Sequence, residues 1–378
     1  MHRAQTLDPD TLQLVLSHLE HEKGILFRMS LLNKGAHSLV LPILYRSNAF
    51  INITPASKFC RALHDHPQSP ARFVQKLHMH TVNPSNRRFW STEARDFIHL
   101  IHATLPLLLG LQDLRISGPE FEMEQPLSEL PFSLRSFGLL LPVAGSLGEF
   151  LQTQKSLKYL DLLSPRVPLG KNDCFELGDR TEEPLLPNLT TLVACSETFV
   201  ALAPNHPIAN ATINWCQKHG CRALLSNVIS AIDQSTAPIA ALKVDLRSIR
   251  DTRCVDFVSS LGSTKATSTL EVLTLVTTHL DNEHWMPSGG RQSGPLIPPP
   301  NLFSELSALH SLIIEKPALM VESQVFDEES GEPVPPAEPD FDSIWSHVRT
   351  KKSWQVKCQA LTSVRIYGKR LDTMDLDS

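Results

Sequence analysis

Leu157-Lys158-Tyr159-Leu160-Asp161-Leu162 is the stretch that decides the fold. Its apolar residues fill the first, fourth and sixth places, and the last two alternate with a polar residue, as along a half-buried strand. The same cadence returns as Val74/Leu77/Met79, Leu111/Leu114/Ile116, Leu134/Phe137/Leu139, Leu189/Leu192/Ala194 and Ile208/Ala211/Ile213. It continues as Ile239/Leu242/Val244, Leu270/Leu273/Leu275, Leu309/Leu312/Ile314 and Leu361/Val364/Ile366. With 42% apolar residues, chance alone supplies roughly two dozen such triplets, so their number decides nothing. Phase decides more. Leu fills the first slot in seven of the ten windows, and eight places after that slot four windows carry proline: Pro119, Pro142, Pro165 and Pro317. Proline makes up 28 of 378 residues, so ten places should hold about one. A proline in constant phase ends a strand, because it has no N–H to give to the next ladder.

Helical periodicity fills the gaps between these windows. Ser91-Thr92-Glu93 opens a run with Phe97, Leu100, Ile101, Thr104 and Leu105 on one face, which leaves Asp96, His99 and His102 towards water. Ser146 and Glu149 have the spacing of a capping box. Trp215 to Ile232 and Cys254 to Leu261 are further helices. Strand, helix, parallel strand is how a repeat array buries faces that no single unit can bury. The first residues read differently. Asp8-Pro9 supplies an N-cap and a preset φ, and Leu12, Val15, Leu16 and Leu19 make one apolar stripe. Two more short helices, around Ile25–Leu32 and Ala36–Leu44, are separated by breaks at Gly24 and near Asn33–Gly35. Three such helices cover one another only in part, so apolar surface is left for a neighbour or a partner. The expected fold class is therefore α/β. A three-helix module spans residues 1–50, a linker helix 51–72, and an irregular β-α solenoid 73–378, with loop inserts at 282–301 and 327–342.

Several function classes fall away. Lys and Arg number 35 against 40 Asp and Glu, a net charge of −5, which gives no reason to expect nucleic acid or an anionic membrane as partner. Seven cysteines at unrelated spacings suit reduced thiols in the cytoplasm or nucleus better than a disulfide framework. No stretch approaches the ~20 apolar residues of a membrane span. Neither a phosphate-binding glycine loop nor a nucleophile elbow nor HExxH occurs, so no catalytic residue and no cofactor is expected. The best metal candidate, Cys216, His219 and Cys221, fails on spacing: on a helix the third ligand points away from the first two. His78 and His80 project from the same face of their strand, and with no carboxylate or thiol nearby in sequence they read as a solvated pair. Alternation turns His78, His80, Arg115, Asp161, Lys243, Asp245, Arg365 and Tyr367 outward from the strands, onto the concave face, as candidates for partner binding.

The cadence is the strand consensus of leucine-rich repeats, and the N-terminus adds a second resemblance. Leu7-Asp8-Pro9-Asp10-Thr11-Leu12, with Val15-Leu16-Ser17-His18-Leu19, is similar to the first helix of the F-box. Leu26, Met29-Ser30-Leu31-Leu32-Asn33-Lys34 and Leu41-Pro42-Ile43-Leu44-Tyr45-Arg46 continue in the family's order. The chain thus resembles the F-box leucine-rich-repeat proteins abundant in basidiomycete fungi, over about 45 residues for the helices and most of the remainder for the repeats. It departs from their pattern at Asp8, where a proline is frequent, and at Ala36, where an aromatic is common. The resemblance implies a non-catalytic adaptor. Its helices would bind a Skp-type subunit of a cullin–RING ubiquitin ligase through Leu7, Pro9, Leu12, Leu16, Leu19 and Leu31, while the repeats hold a protein substrate. The alternative is a protein-binding scaffold whose degenerate F-box only caps the solenoid.

Overall fold

In all ten windows the second and third slots lie on a strand and the first just before it, and each of the thirty slots is buried, with no more than 7% of any residue exposed. The computed structural model describes residues 8–65, 70–80, 92–117, 130–140, 146–162, 184–215, 223–246, 254–277, 300–315, 358–366 and 369–370. The four phased prolines lie outside these ranges. So do Cys216, His219 and Cys221, the 327–342 insert, and all of the 282–301 insert except its last two residues.

The chain divides into two compact units, residues 1–167 with 175–188, and 168–174 with 189–378. The N-terminal unit begins with α1 (Pro9–His18), α2 (Lys23–Ser30) and α3 (Lys34–Arg46). Asp8 caps α1 by accepting from the Thr11 N–H, and Asn33 caps α3 by accepting from that of Ala36 at 2.8 Å. Leu16, Leu26, Val40 and Ile43 form the core of the three helices, flanked by the partly buried Leu12, Leu19, Met29, Leu39 and Leu44. Lys23 Nζ donates to the carbonyls of Leu44 (2.7 Å) and Ile43 (3.3 Å). A cation therefore sits at the negative end of α3. Gly24 lies in the first turn of α2 rather than in a break ahead of it; its position faces open space.

From Arg46 the chain runs directly into β1 (Ser47–Phe50). The sheet therefore starts within the stretch that the sequence assigns to the module. α4 (Ile53–Asp65) is the crossover from β1 to β2 (Lys76–His80), where the sequence suggests a linker. α5 (Thr92–Thr104), β3 (Asp113–Ser117), β4 (Ser136–Leu140), α6 (Ser146–Thr153) and β5 (Tyr159–Leu162) complete the unit. Strands β1 to β5 pair in chain order, all parallel. α5 packs on α4, which buries His102 against the expectation from its own helix, whereas Asp96 and His99 are exposed.

The C-terminal unit repeats the plan with β6 (Thr191–Cys195), α7 (Ser196–Leu202), β7 (Asn210–Asn214), α8 (Leu225–Asp233), β8 (Ala241–Asp245), α9 (Cys254–Gly262), β9 (Val272–Val276), β10 (Ser311–Glu315) and β11 (Ser363–Ile366). These strands are parallel in chain order; β12 (Lys369–Arg370) then folds back antiparallel on β11. Trp215, read as the start of a helix, is instead buried at the exit of β7, edge-on to Phe257 of α9 at 6.3 Å.

One hydrogen-bond pattern recurs from window to window within each unit. The carbonyl one residue after the first slot accepts two N–H groups of the next window. Gln75 takes those of Gln112 and Asp113 (2.8 and 3.0 Å), and Gln112 those of Arg135 and Ser136. Arg135 does the same for Lys158 and Tyr159; in the other unit Thr190, Ala209, Ala240, Glu271 and His310 act likewise. The buried slots consequently stand opposite one another: Leu77, Leu114, Phe137 and Leu160 in one row, and Leu192, Ala211, Leu242, Leu273, Leu312 and Val364 in the other. They face the helices, as Phe137 does in meeting Phe150 of α6 edge-on at 5.2 Å. Truncating a fully buried aromatic in such a row, Phe137→Ala, is expected to cost about 3–5 kcal/mol, read as a lower urea midpoint for the N-terminal unit.

Candidate binding surfaces

The face of each sheet turned away from the helices carries the residues between the buried slots. In the N-terminal unit the register sets His78, Arg115, Gly138 and Asp161 side by side, and next to them Lys76, Asp113, Ser136 and Tyr159. Three expected binding residues, His78, Arg115 and Asp161, are thus brought into one row, with His80 beside it. The carboxylate that the local sequence around His78 lacks arrives from the neighbouring strand. Asp113 stands diagonal to His78, and its Oδ1 lies 3.1 Å from His78 Nε2 and 3.6 Å from Arg115 Nε. Neither approach is aligned as a hydrogen bond; the Arg115 contact is one of opposite charges, and the imidazole lies against the same oxygen. The solvated-pair reading of His78 and His80 is corrected accordingly.

Gly138 gives Arg115 room beside β4. A Cβ there would lie 3.1 Å from Arg115 Cγ, so any larger residue would make the Arg115 side chain shift where it crosses β4. Beyond it the guanidinium rests 4.8 Å from the centre of the Tyr159 ring, and the Tyr159 hydroxyl donates to Asp161 Oδ2 at 3.3 Å. His80 Nδ1 is 2.7 Å from Ser117 Oγ, and the two imidazole rings are 6.3 Å apart, edge to face. Burial lowers the pKa of His80, and the nearby His78 and Arg115 add to the effect. Burial alone would raise the Asp113 carboxyl; contacts from His78 and Ser136 and the charges of His78 and Arg115 outweigh it and hold the carboxyl below its ordinary value. Burial, followed by the charge of Asp161, pushes the Tyr159 hydroxyl up.

The C-terminal unit is arranged differently. Lys243 Nζ meets Glu315 Oε2 at 2.7 Å, a bridge from β8 to β10 over β9. Both side chains are about half exposed, and such a pair contributes ~0–1 kcal/mol. Asp245 is half-buried, opposite Asn214 and Val276, and Arg365 is exposed on β11. Tyr367 lies outside the described residues.

On the N-terminal helices the expected partner-binding set divides. Leu16 is core at 1% exposure, Leu12 and Leu19 pack half-buried against it, and Leu31 is 69% exposed. Leu7 and the Pro9 side chain lie outside the described residues. The stripe on α1 turns inward because α3 supplies Val40 and Ile43 to meet it, which leaves Val15 at its edge 48% exposed. Reading that stripe missed the outward residues Leu14, Ile25, Phe27 and Leu32. The available signal was Phe27, Leu31 and Leu32, which stand off the helix face that carries Leu26. Among the described residues, six of the ten large apolar side chains left exposed fall between 14 and 32, so this surface is concentrated in the module.

Burial pushes the thiols of Cys60 and Cys254 up to about 11 and about 12, as suits packed, protonated sulfur. Among the described residues no three His, Cys, Asp or Glu side chains converge as metal ligands, and no helix is long and apolar enough to cross a membrane. Fold and surfaces together define an α/β protein of strand–crossover repeats with a helical N-terminal module. No protein-family model matches the chain, and no curated protein is recognisably similar to it.

The depressed Asp113 pKa fixes a pH dependence. A carboxylate held below its unfolded value, about 3.9, contributes stability in full above that value and loses it as pH falls through the folded one. The gap in urea midpoint between wild type and Asp113→Asn should therefore be fully open from about pH 5 upward and close as the pH is lowered below the ordinary carboxylate range.

Proposed function

We propose that the chain is a non-catalytic substrate-recognition adaptor of the F-box leucine-rich-repeat kind. Its three-helix module binds a Skp-type subunit of a cullin–RING ubiquitin ligase, and the open face of the strands receives a protein substrate. The observation that carries this reading is the exposed apolar surface of Leu14, Val15, Ile25, Phe27, Leu31 and Leu32. Those helices already have a core of their own, so the surface is left over for a partner. Burying one such side chain contributes ~1.5–3 kcal/mol, so a few suffice for a stable complex. The adaptor-facing residues are accordingly Leu31 and its exposed neighbours, with Leu16 serving the fold.

A specific observation favours a second reading. α3 packs against the 3₁₀ turn Pro70–Phe73 that leads to β2, and the Arg46 carbonyl at its end accepts from the Gln75 N–H at 2.9 Å. Helices that cover the first repeat in this way act as a cap.

A pull-down with the Skp-type adaptor, alongside circular dichroism melts, separates the two. Under the adaptor reading the wild type binds. Phe27→Asp and Leu31→Asp abolish binding and melt as the wild type does. Leu16→Asp melts early in either case, by an amount equivalent to about 3 kcal/mol or more. A wild type that retains no adaptor, with Phe27→Asp and Leu31→Asp indistinguishable from it, leaves the module as a cap alone.

A further inference from the structure

The polar network on the N-terminal unit has a directed geometry. Arg115 is held on two sides, by Asp113 at Nε and by the face of Tyr159 under its guanidinium carbon. Its terminal Nη atoms have no hydrogen-bonding partner among the described residues, and the side chain is 35% exposed. A guanidinium fixed at one edge and one face presents its remaining N–H fork, which matches the paired oxygens of a carboxylate or phosphate group. Asp113 lies at the Nε edge, 3.6 Å from it and 3.1 Å from His78 Nε2, on the side away from the fork's outer N–H groups.

The strands set the charge around the fork. β2 supplies Lys76, His78 and His80, β3 supplies Asp113 and Arg115, and β5 supplies Tyr159 and Asp161; β1 and β4 carry no titratable side chain. With neutral imidazoles, two cations face two carboxylates and an anion gains little. With both imidazoles protonated, the same surface holds two positive charges in excess. We propose that this cluster is a proton-gated oxyanion site, taking a carboxylate or phosphate group of the protein substrate with Arg115 as the fork and His78 and His80 as the gate. Because burial and neighbouring cations disfavour its charged form, His80 takes up its proton below the ordinary histidine range, and the gate opens under mildly acidic conditions. Linkage requires the converse as well: a bound anion raises the pKa of the histidines beside it.

This inference rests on the open face being the substrate surface and needs nothing from the helical module. It is tested on the full chain by following the histidine ring ¹H–¹³C signals, assigned with His78→Gln and His80→Gln. Sulfate, a dianion at both pH 5.5 and pH 7.5, stands in for phosphate, and a hexaglutamate peptide supplies carboxylates. Saturable shifts of His78 and His80 are expected at pH 5.5, with affinity roughly tenfold weaker at pH 7.5 and a His80 titration midpoint raised by the bound anion. Response to sulfate alone assigns a phosphate-bearing substrate; response to the peptide alone assigns an acidic one. Arg115→Gln should abolish the shifts, and Arg115→Lys, which keeps the charge but not the fork, should weaken them with an unchanged melt. The proposal is overturned by silence with both probes, by equal affinity at the two pH values, or by an Arg115→Lys protein that binds as the wild type does. None of these outcomes touches adaptor capture by the module, so the two readings fail separately.

Discussion

One backbone carbonyl per window, shared between two N–H groups of the next, is the interaction on which the rest of the structure depends. It recurs eight times, always one residue after the first buried slot. Because it fixes the approach of each strand and not the length of the excursion between strands, successive windows can stand 19 residues apart, as Leu192 and Ala211 do, or 52, as Leu312 and Val364 do, without a change of register. Slipping a strand by one residue would turn its buried slots to the open face. The shared carbonyl therefore aligns the apolar rows on one side and the polar rows on the other. The network of His78, Asp113, Arg115 and Tyr159 is a by-product of the register that stacks Leu77 on Leu114 and Phe137.

What could be read from the sequence follows from which forces are local. The strands were legible because each carries its own burial signal at fixed spacing, and α5, α6 and α9 because each presents a periodic apolar face. β1 was not, since Ser-Asn-Ala-Phe buries none of its four residues fully and its strand character comes from pairing with β2. α7 is only seven residues long, and two of its four buried residues are Ser196 and Thr198, so its buried face carries little apolar signal. The open-face residues were found one at a time, by alternation, but their connections were not. Asp113 lies 35 residues from His78, and only stacking the windows on their first slots would have placed it diagonally opposite. Gly138 carries no signal at all until Arg115 is seen to pass over it.

The helical module shows the same division between local and tertiary information. An apolar stripe on α1 is compatible with a core or with a docking face, and the sequence of one helix does not choose between them. The choice is made by Val40 and Ile43 of α3, which close on Leu16 and Leu26. What is then left outside is set by the small size of three short helices, too small to cover Phe27, Leu31 and Leu32 as well. A hydrophobic residue in this module thus serves either stability or contact according to its partner helix, and neighbours such as Leu31 and Met29 fall on opposite sides of that division.

The two-residue strand β12 has a consequence for behaviour at high concentration. A parallel array that simply stopped at β11 would offer a row of unpaired N–H and C=O groups to any passing extended chain, including another copy of itself. The reversal at Ile366–Lys369 fills part of that row from within and sets Arg365 opposite Arg370. Where β12 lies, that part of the edge is already occupied and cannot serve as a template for another strand.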